Sequence, residues 1–169
     1  MADYYSRITD EQAALIRNAD LFFVATADPN LAEGVHGEGP VNLSPKGGVP
    51  LHILGPNHVA YLDYVGSGNE TARHSSDGGP ITVMICSFEK ENAAVIRLWG
   101  RAKTVSIDES NFAGQLLESA AVEIALPQRQ VIDITVTSTV TSCGYGVPVM
   151  ISSRDRTVKD RGRQYKERK

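Results

Sequence analysis

Cysteine is nearly absent from this chain: Cys86 and Cys143 are the only two in 169 residues. A pair so sparse gives no disulfide framework and fits a reducing compartment, so a cytoplasmic location is expected. The four histidines, His36, His52, His58 and His74, share no metal-ligand spacing with each other or with the cysteines, and no metal site is expected. No apolar run is long enough to span a bilayer. The opening MADYYSRITD lacks the basic-then-apolar order of a secretion signal, so no membrane partner is expected.

Positive charge is scarce outside one segment. The net charge is −3, yet eight of the 17 basic residues lie between Arg154 and Lys169, beside only three acids. That segment, RDRTVKDRGRQYKERK, has almost no apolar content and reads as a solvated tail. The remaining body is acidic and would repel a phosphate backbone, and only Tyr165 could stack on a base, so no nucleic-acid partner is expected. A hydrophobic content of 41% suits one domain with a real core. The organisation expected is a single domain over 1–153 and a basic, flexible tail over 154–169.

Hydrophobic patterning predicts a mainly β domain. Thr9 and Gln12 form a capping-box pattern that opens a short helix to about Ala19. LFFVATA (Leu21–Ala27) reads as a strand, and a Gly- and Pro-rich loop runs from Asp28 to Pro40. Val41–Ser44 reads as a short strand ended by Pro45. HVAYLDY, ITVMICSF and VIRLWGRAKTV read as three more strands, the last two apolar on both faces, as in a barrel or an interface. Ser106 and Glu109 frame a helix over Glu109–Ala120. In VIDITVTSTV, Ile132, Ile134 and Val136 alternate with Asp133, Thr135 and Thr137, the mark of a strand with one buried face. Most successive strands need only short connections, which suggests an antiparallel barrel with peripheral helices.

The stretch LDYVGSGNETARHSSDGG carries the most chemistry. A strand ending at Tyr64 runs into a turn, Gly66-Ser67-Gly68, and then a helix that Ser67 and Glu70 would open in S-x-x-E spacing. A helix start presents free N–H groups, and Gly66 and Gly68 would let a phosphate approach the backbone. The same residues also read as an ordinary capped turn. A dinucleotide fingerprint is excluded, because Thr71 takes the third glycine position and strands come next instead of a second βαβ unit. Cys143 has no neighbouring base or nucleophile elbow, and no catalytic residue stands out.

Taken in order, VNLSPKGG, LDYVGSGNETARH, ITVMICSFE, IRLWGRA and TSCGYGVP resemble the pyridoxamine 5′-phosphate oxidase-like family of FMN-binding split barrels. The resemblance runs from about Asp20 to Pro148, and SPKGG, GSGNET and SCGYGVP are similar to its short, single-domain, oxidase-related branch. It implies a six-stranded antiparallel split β-barrel, a homodimer, and FMN held between subunits for oxidoreductase chemistry on a small molecule. It also implies cofactor-binding roles. Asn42, Ser44 and Lys46 would run along the flavin, and Asp63 and Tyr64 would lie by the ring or the ribityl chain. Ser67, Gly68, Asn69 and Thr71 would hold the phosphate together with Lys46, and Arg97 would arrive from the partner subunit. A deazaflavin-dependent reductase in the same groove, and a flavin-storing module without turnover, are the alternatives. Two departures bear on activity: Gly68 and Asn69 stand where pyridoxamine phosphate oxidases carry basic turn residues, and no tryptophan comes after Trp99. Both argue against vitamin B6 oxidation. The lack of a histidine after His74 argues against the haem-degrading branch.

Overall fold

A computed structural model describes residues 2–34, 36–65, 68–119 and 128–152. One antiparallel sheet is built from eight strands: β1 (Ala2–Tyr5), β2 (Leu21–Ala27), β3 (Val41–Gly47), β4 (His52–Gly55), β5 (His58–Tyr64), β6 (Gly79–Cys86), β7 (Ala94–Ser106) and β8 (Gln128–Cys143). Their order is β3-β2-β6-β7-β8-β5-β4, with β1 paired to β8 off this path. The sheet curls, because one face of β2, β5, β6, β7 and β8 converges on a common core of Phe22, Val24, Val59, Tyr61, Ile81, Val83, Ile85, Ile96, Leu98, Ile132, Ile134 and Val136. The ladder does not close, and β3 and β4 end the path. This is a split barrel.

The class matches the sequence expectation, while the strand count among the described residues is eight and not six. The two extra strands, β1 and β4, are four residues each; β1 is exposed along its length and β4 half-buried, so neither shows an alternating pattern. Strand β3 also runs past Pro45 to Gly47. A proline is tolerated there because β3 pairs on one side only, with β2, and the missing N–H breaks no ladder on the other.

Among the described residues three short helices decorate the barrel: α1 (Asp10–Arg17), α2 (Glu70–Ser75) and α3 (Ala113–Glu118). Helix α1 opens on the Thr9–Gln12 capping box, with both reciprocal bonds formed. Helix α2 starts at Glu70 with Asn69 as its N-cap and no side-chain cap; Ser67 lies outside the described residues. The segment read as a helix from Glu109 is a 3₁₀ turn, Ile107–Glu109, and then α3. Ser106 donates its hydroxyl to the Glu109 carboxylate at 2.9 Å and caps no backbone amide, so the longer helix has no start signal there. The basic tail also lies outside the described residues. Among the described residues no helix is long and apolar enough to cross a membrane.

Strand β5 is packed from both sides. Val59 and Tyr61 point into the barrel, whereas Ala60 and Leu62 sit with Val131 under Leu116 of α3. Burial on both faces leaves β5 little freedom to shift its register, so the polar residues at its C-terminal end are held in place.

Candidate functional site

The barrel-facing parity of three strands brings polar side chains to the open seam. On β3, Val41, Leu43 and Pro45 are exposed, and Asn42, Ser44 and Lys46 turn inward. On β5, Asp63 continues the inward row of Val59 and Tyr61. On β8, Gln130 begins the inward row of Ile132, Ile134 and Val136, and it lies opposite Asp63 in register. The Lys46 ammonium lies 3.1 Å from Asp63 Oδ1 and 5.7 Å from the centroid of the Tyr61 ring. Gln130 Nε2 donates to Asp63 Oδ2 at 2.8 Å and to Asn69 Oδ1 at 3.1 Å. Arg129 Nη1 donates to the same Asn69 oxygen at 2.7 Å and to the Gly68 carbonyl at 3.3 Å. A polar chain therefore runs Lys46–Asp63–Gln130–Asn69–Arg129 from the split edge to the glycine turn.

Helix α2 ties this chain to β3 and β2. Asn42 Nδ2 donates to the buried Thr71 hydroxyl at 3.1 Å. One turn on, fully buried His74 engages both ring nitrogens: Nδ1 lies 2.9 Å from Thr26 Oγ1, and Arg73 Nη2 lies 3.2 Å from Nε2. A guanidinium only donates, so Nε2 accepts and Nδ1 carries the proton; the ring is neutral. Burial, then the Arg73 charge, holds the His74 pKa below the usual histidine value, against the opposing pull of Asp28 and Glu70. Arg73 also reaches Asp28 at 3.5 Å, at the base of the 28–40 loop.

Seven of the ten residues singled out in the sequence fall in this region: Asn42, Ser44, Lys46, Asp63, Gly68, Asn69 and Thr71. Tyr64 adjoins them at the end of β5, its hydroxyl buried without a partner among the described residues; burial raises its pKa. Ser67 lies outside the described residues. Arg97 does not join the cluster within one chain. Ile96 and Leu98 point into the core, so Arg97 projects from the opposite sheet face, where it donates to Ser142 Oγ at 3.3 Å. Arg129 and Gln130 were not singled out. The period-2 row Gln130-Ile132-Ile134 is the signal that would have found Gln130.

The chemistry available is recognition more than acid–base work. Among the described residues the seam offers an ammonium, a guanidinium, a carboxylate, carboxamides and hydroxyls. Among the described residues no group of three or more His, Cys, Asp or Glu could hold a metal ion.

No protein-family model matches the chain. Comparison with curated proteins finds the pyridoxamine 5′-phosphate oxidase family protein ustO of Aspergillus flavus, 32% identical over 153 residues, 89% of this chain. Over most of its length the chain is therefore similar to a member of the pyridoxamine 5′-phosphate oxidase-like family. It spans 57% of the length of that relative. Among solved structures, HupZ from Group A Streptococcus superposes with a TM-score of 0.60 at 22% identity, over 80% of this chain and 99% of that one. An FMN-binding protein from Syntrophomonas wolfei superposes with a TM-score of 0.51 at 12% identity, over 76% and 86% of the two chains. At these identities the two structures support the fold.

Proposed function

We propose that this chain is a pyridoxamine 5′-phosphate oxidase-like protein that binds FMN along the split seam and acts as an oxidoreductase on a small molecule. The observation that carries this reading is the seam itself. A barrel otherwise filled with aliphatic side chains here gathers Asn42, Ser44, Lys46, Asp63, Asn69 and Thr71, at the positions the family resemblance singles out. Two hydroxyls beside them, on Ser44 and Tyr64, are buried without a hydrogen-bond partner among the described residues. Unpaired buried hydroxyls are costly, and a polar ligand laid along β3 and β5 would satisfy them. The residues present therefore fit a flavin with a phosphorylated side chain.

When bound, the flavin would supply the electron transfer, and the protein would supply binding, orientation and charge. Asp63, fixed by Lys46 and Gln130, presents a carboxylate at the seam. Thr71, fixed by Asn42, holds the first turn of α2 against β3. The working unit in this proposal is a cytoplasmic homodimer of the 1–153 domain. Its support is the outer sheet face, where Val41 and Leu43 are each 67% exposed beside Phe23 of β2. Apolar exposure of this kind on an edge strand invites a partner, and Arg97 lies on that same outer face.

The test is spectroscopic. Purified protein should be yellow, absorb near ~450 nm, and release FMN on denaturation. Turnover with a reduced nicotinamide would establish an enzyme and not a carrier. A colourless protein that takes up no flavin overturns the reading.

A further inference from the structure

We propose that the outer face of the sheet carries a small-molecule site of its own, a hollow between β2 and β7 that takes a planar aromatic carboxylate. The site is separate from the seam: Asn42, Ser44 and Lys46 turn inward from β3, whereas Val41 turns outward and forms the rim of the hollow. The hollow follows from the register. Opposite residues of neighbouring strands share a face, and one such row runs Leu43–Ala25–Thr82–Trp99–Ser138 across β3, β2, β6, β7 and β8. Ala25 and Thr82 are short and their flanks, Leu43 and Trp99, are large, so the surface sinks between them. Ala27, Pro80 and Arg101 extend the depression to about 450 Å³, a volume in the range of small-molecule sites.

Trp99 and Arg101 supply the recognition. Trp99 stacks on Tyr4 of β1, with ring centroids 6.3 Å apart and planes 10° apart, so the indole is braced from outside the hollow that it lines. Its backbone carbonyl accepts from the Thr137 hydroxyl at 3.1 Å, beside a β-bulge between β7 and β8. A side chain at Gly100 would collide with the Thr135 carbonyl, so the two strands approach here as only glycine allows. Arg101 donates one N–H to the Gly78 carbonyl at 2.9 Å, which anchors the guanidinium and leaves the other donors of its planar fork for a ligand. Arg97 and Arg101 stand two positions either side of Trp99 on the same outward row, and among the described residues neither forms an ion pair. The hollow thus borders unneutralised positive charge on a body that is otherwise acidic. An aromatic ring would lie against the indole over Ala25 and Thr82, and its carboxylate would meet the Arg101 fork.

The experiment titrates naphthalene-2-carboxylate and its neutral amide into the full-length protein in its native association state. Calorimetry reads the affinity, and the indole N–H resonance of Trp99, the only tryptophan in the chain, reads the place. The carboxylate should bind, shift that resonance, and exceed the amide in affinity about tenfold or more, as expected for a charge-assisted bond. Arg101→Gln should remove that advantage and leave the amide unchanged. Ala25→Leu, which fills the floor, should weaken both probes together. Arg101→Gln, at an exposed side chain, carries the test if Ala25→Leu does not fold. Equal affinity for the two probes, an advantage that survives Arg101→Gln, or binding that leaves the Trp99 resonance unmoved overturns the proposal. So does binding of neither probe, the result expected if a second copy of the chain fills the hollow. None of these outcomes touches the flavin reading of the seam.

Discussion

The barrel wall and the seam are made from the same strands yet obey different rules. In the wall, β6, β7 and β8 pair along long, antiparallel ladders, and Ile81, Val83, Ile85, Leu98, Ile132 and Ile134 interlock with almost no exposure. At the seam the ladder stops, and side chains do what backbone pairing does elsewhere: Lys46 reaches from β3 to Asp63 on β5. The wall is where stability resides, because close-packed apolar side chains lose both transfer and packing energy when truncated. The seam is where recognition resides, because its polar groups are held in place yet not all satisfied.

The widest separation between the two regions should come from one truncation in the wall. Leu98→Ala, at a side chain 1% exposed, should cost about 2–5 kcal/mol in denaturant unfolding and leave the flavin affinity of the folded fraction intact. A cost under about 1 kcal/mol would mean the wall packs loosely.

Acid should act next, through His74. Its folded pKa lies below the ordinary 6.5, so folding favours the neutral ring. Its contribution to stability is complete above that value, declines as pH falls through 6.5 toward the lowered folded value, and levels off below it. Unfolding measured across this acid range should show the decline, and His74→Gln, which cannot titrate, should lack it. A variant that keeps the same decline would assign it to another group.

Seam substitutions should affect stability less than the wall truncation. Lys46→Met removes one ion pair and should cost on the order of 1 kcal/mol, read by the same unfolding curves. A loss as large as that of Leu98→Ala would make the pair structural. Least of all, Leu43→Asp, on the exposed face of β3, should leave unfolding within about 0.5 kcal/mol and convert a dimer to a monomer in sedimentation. An unchanged dimer would place the interface elsewhere.

Much of the wall was legible in the sequence, since Leu21–Ala27 is a nearly all-apolar run, residues 132–137 of β8 alternate, and the Thr9–Gln12 box marks the start of α1. Four-residue β4 was not, because its half-buried residues show no alternation. Strand β3 was read too short because Pro45 is a stop signal in a central strand and acceptable on an edge, and edge position is a property of topology. At the site, Lys46 and Asp63 were singled out through the family resemblance, and the inward parity of β3 and β5 is what places them at the seam. Arg129 and Gln130 were missed because their partners, Gly68, Asn69 and Asp63, lie about sixty residues away and are brought together only by the β5–β8 register.

The central claim, that FMN lies along the seam, is tested most directly by amide hydrogen exchange of the full-length protein with and without FMN. The account predicts added protection confined to 42–46, 63–64, 68–71 and 129–130, with the β6–β7 ladder unchanged. Binding that protects another part of the sheet and leaves these four segments exchanging as before would contradict it.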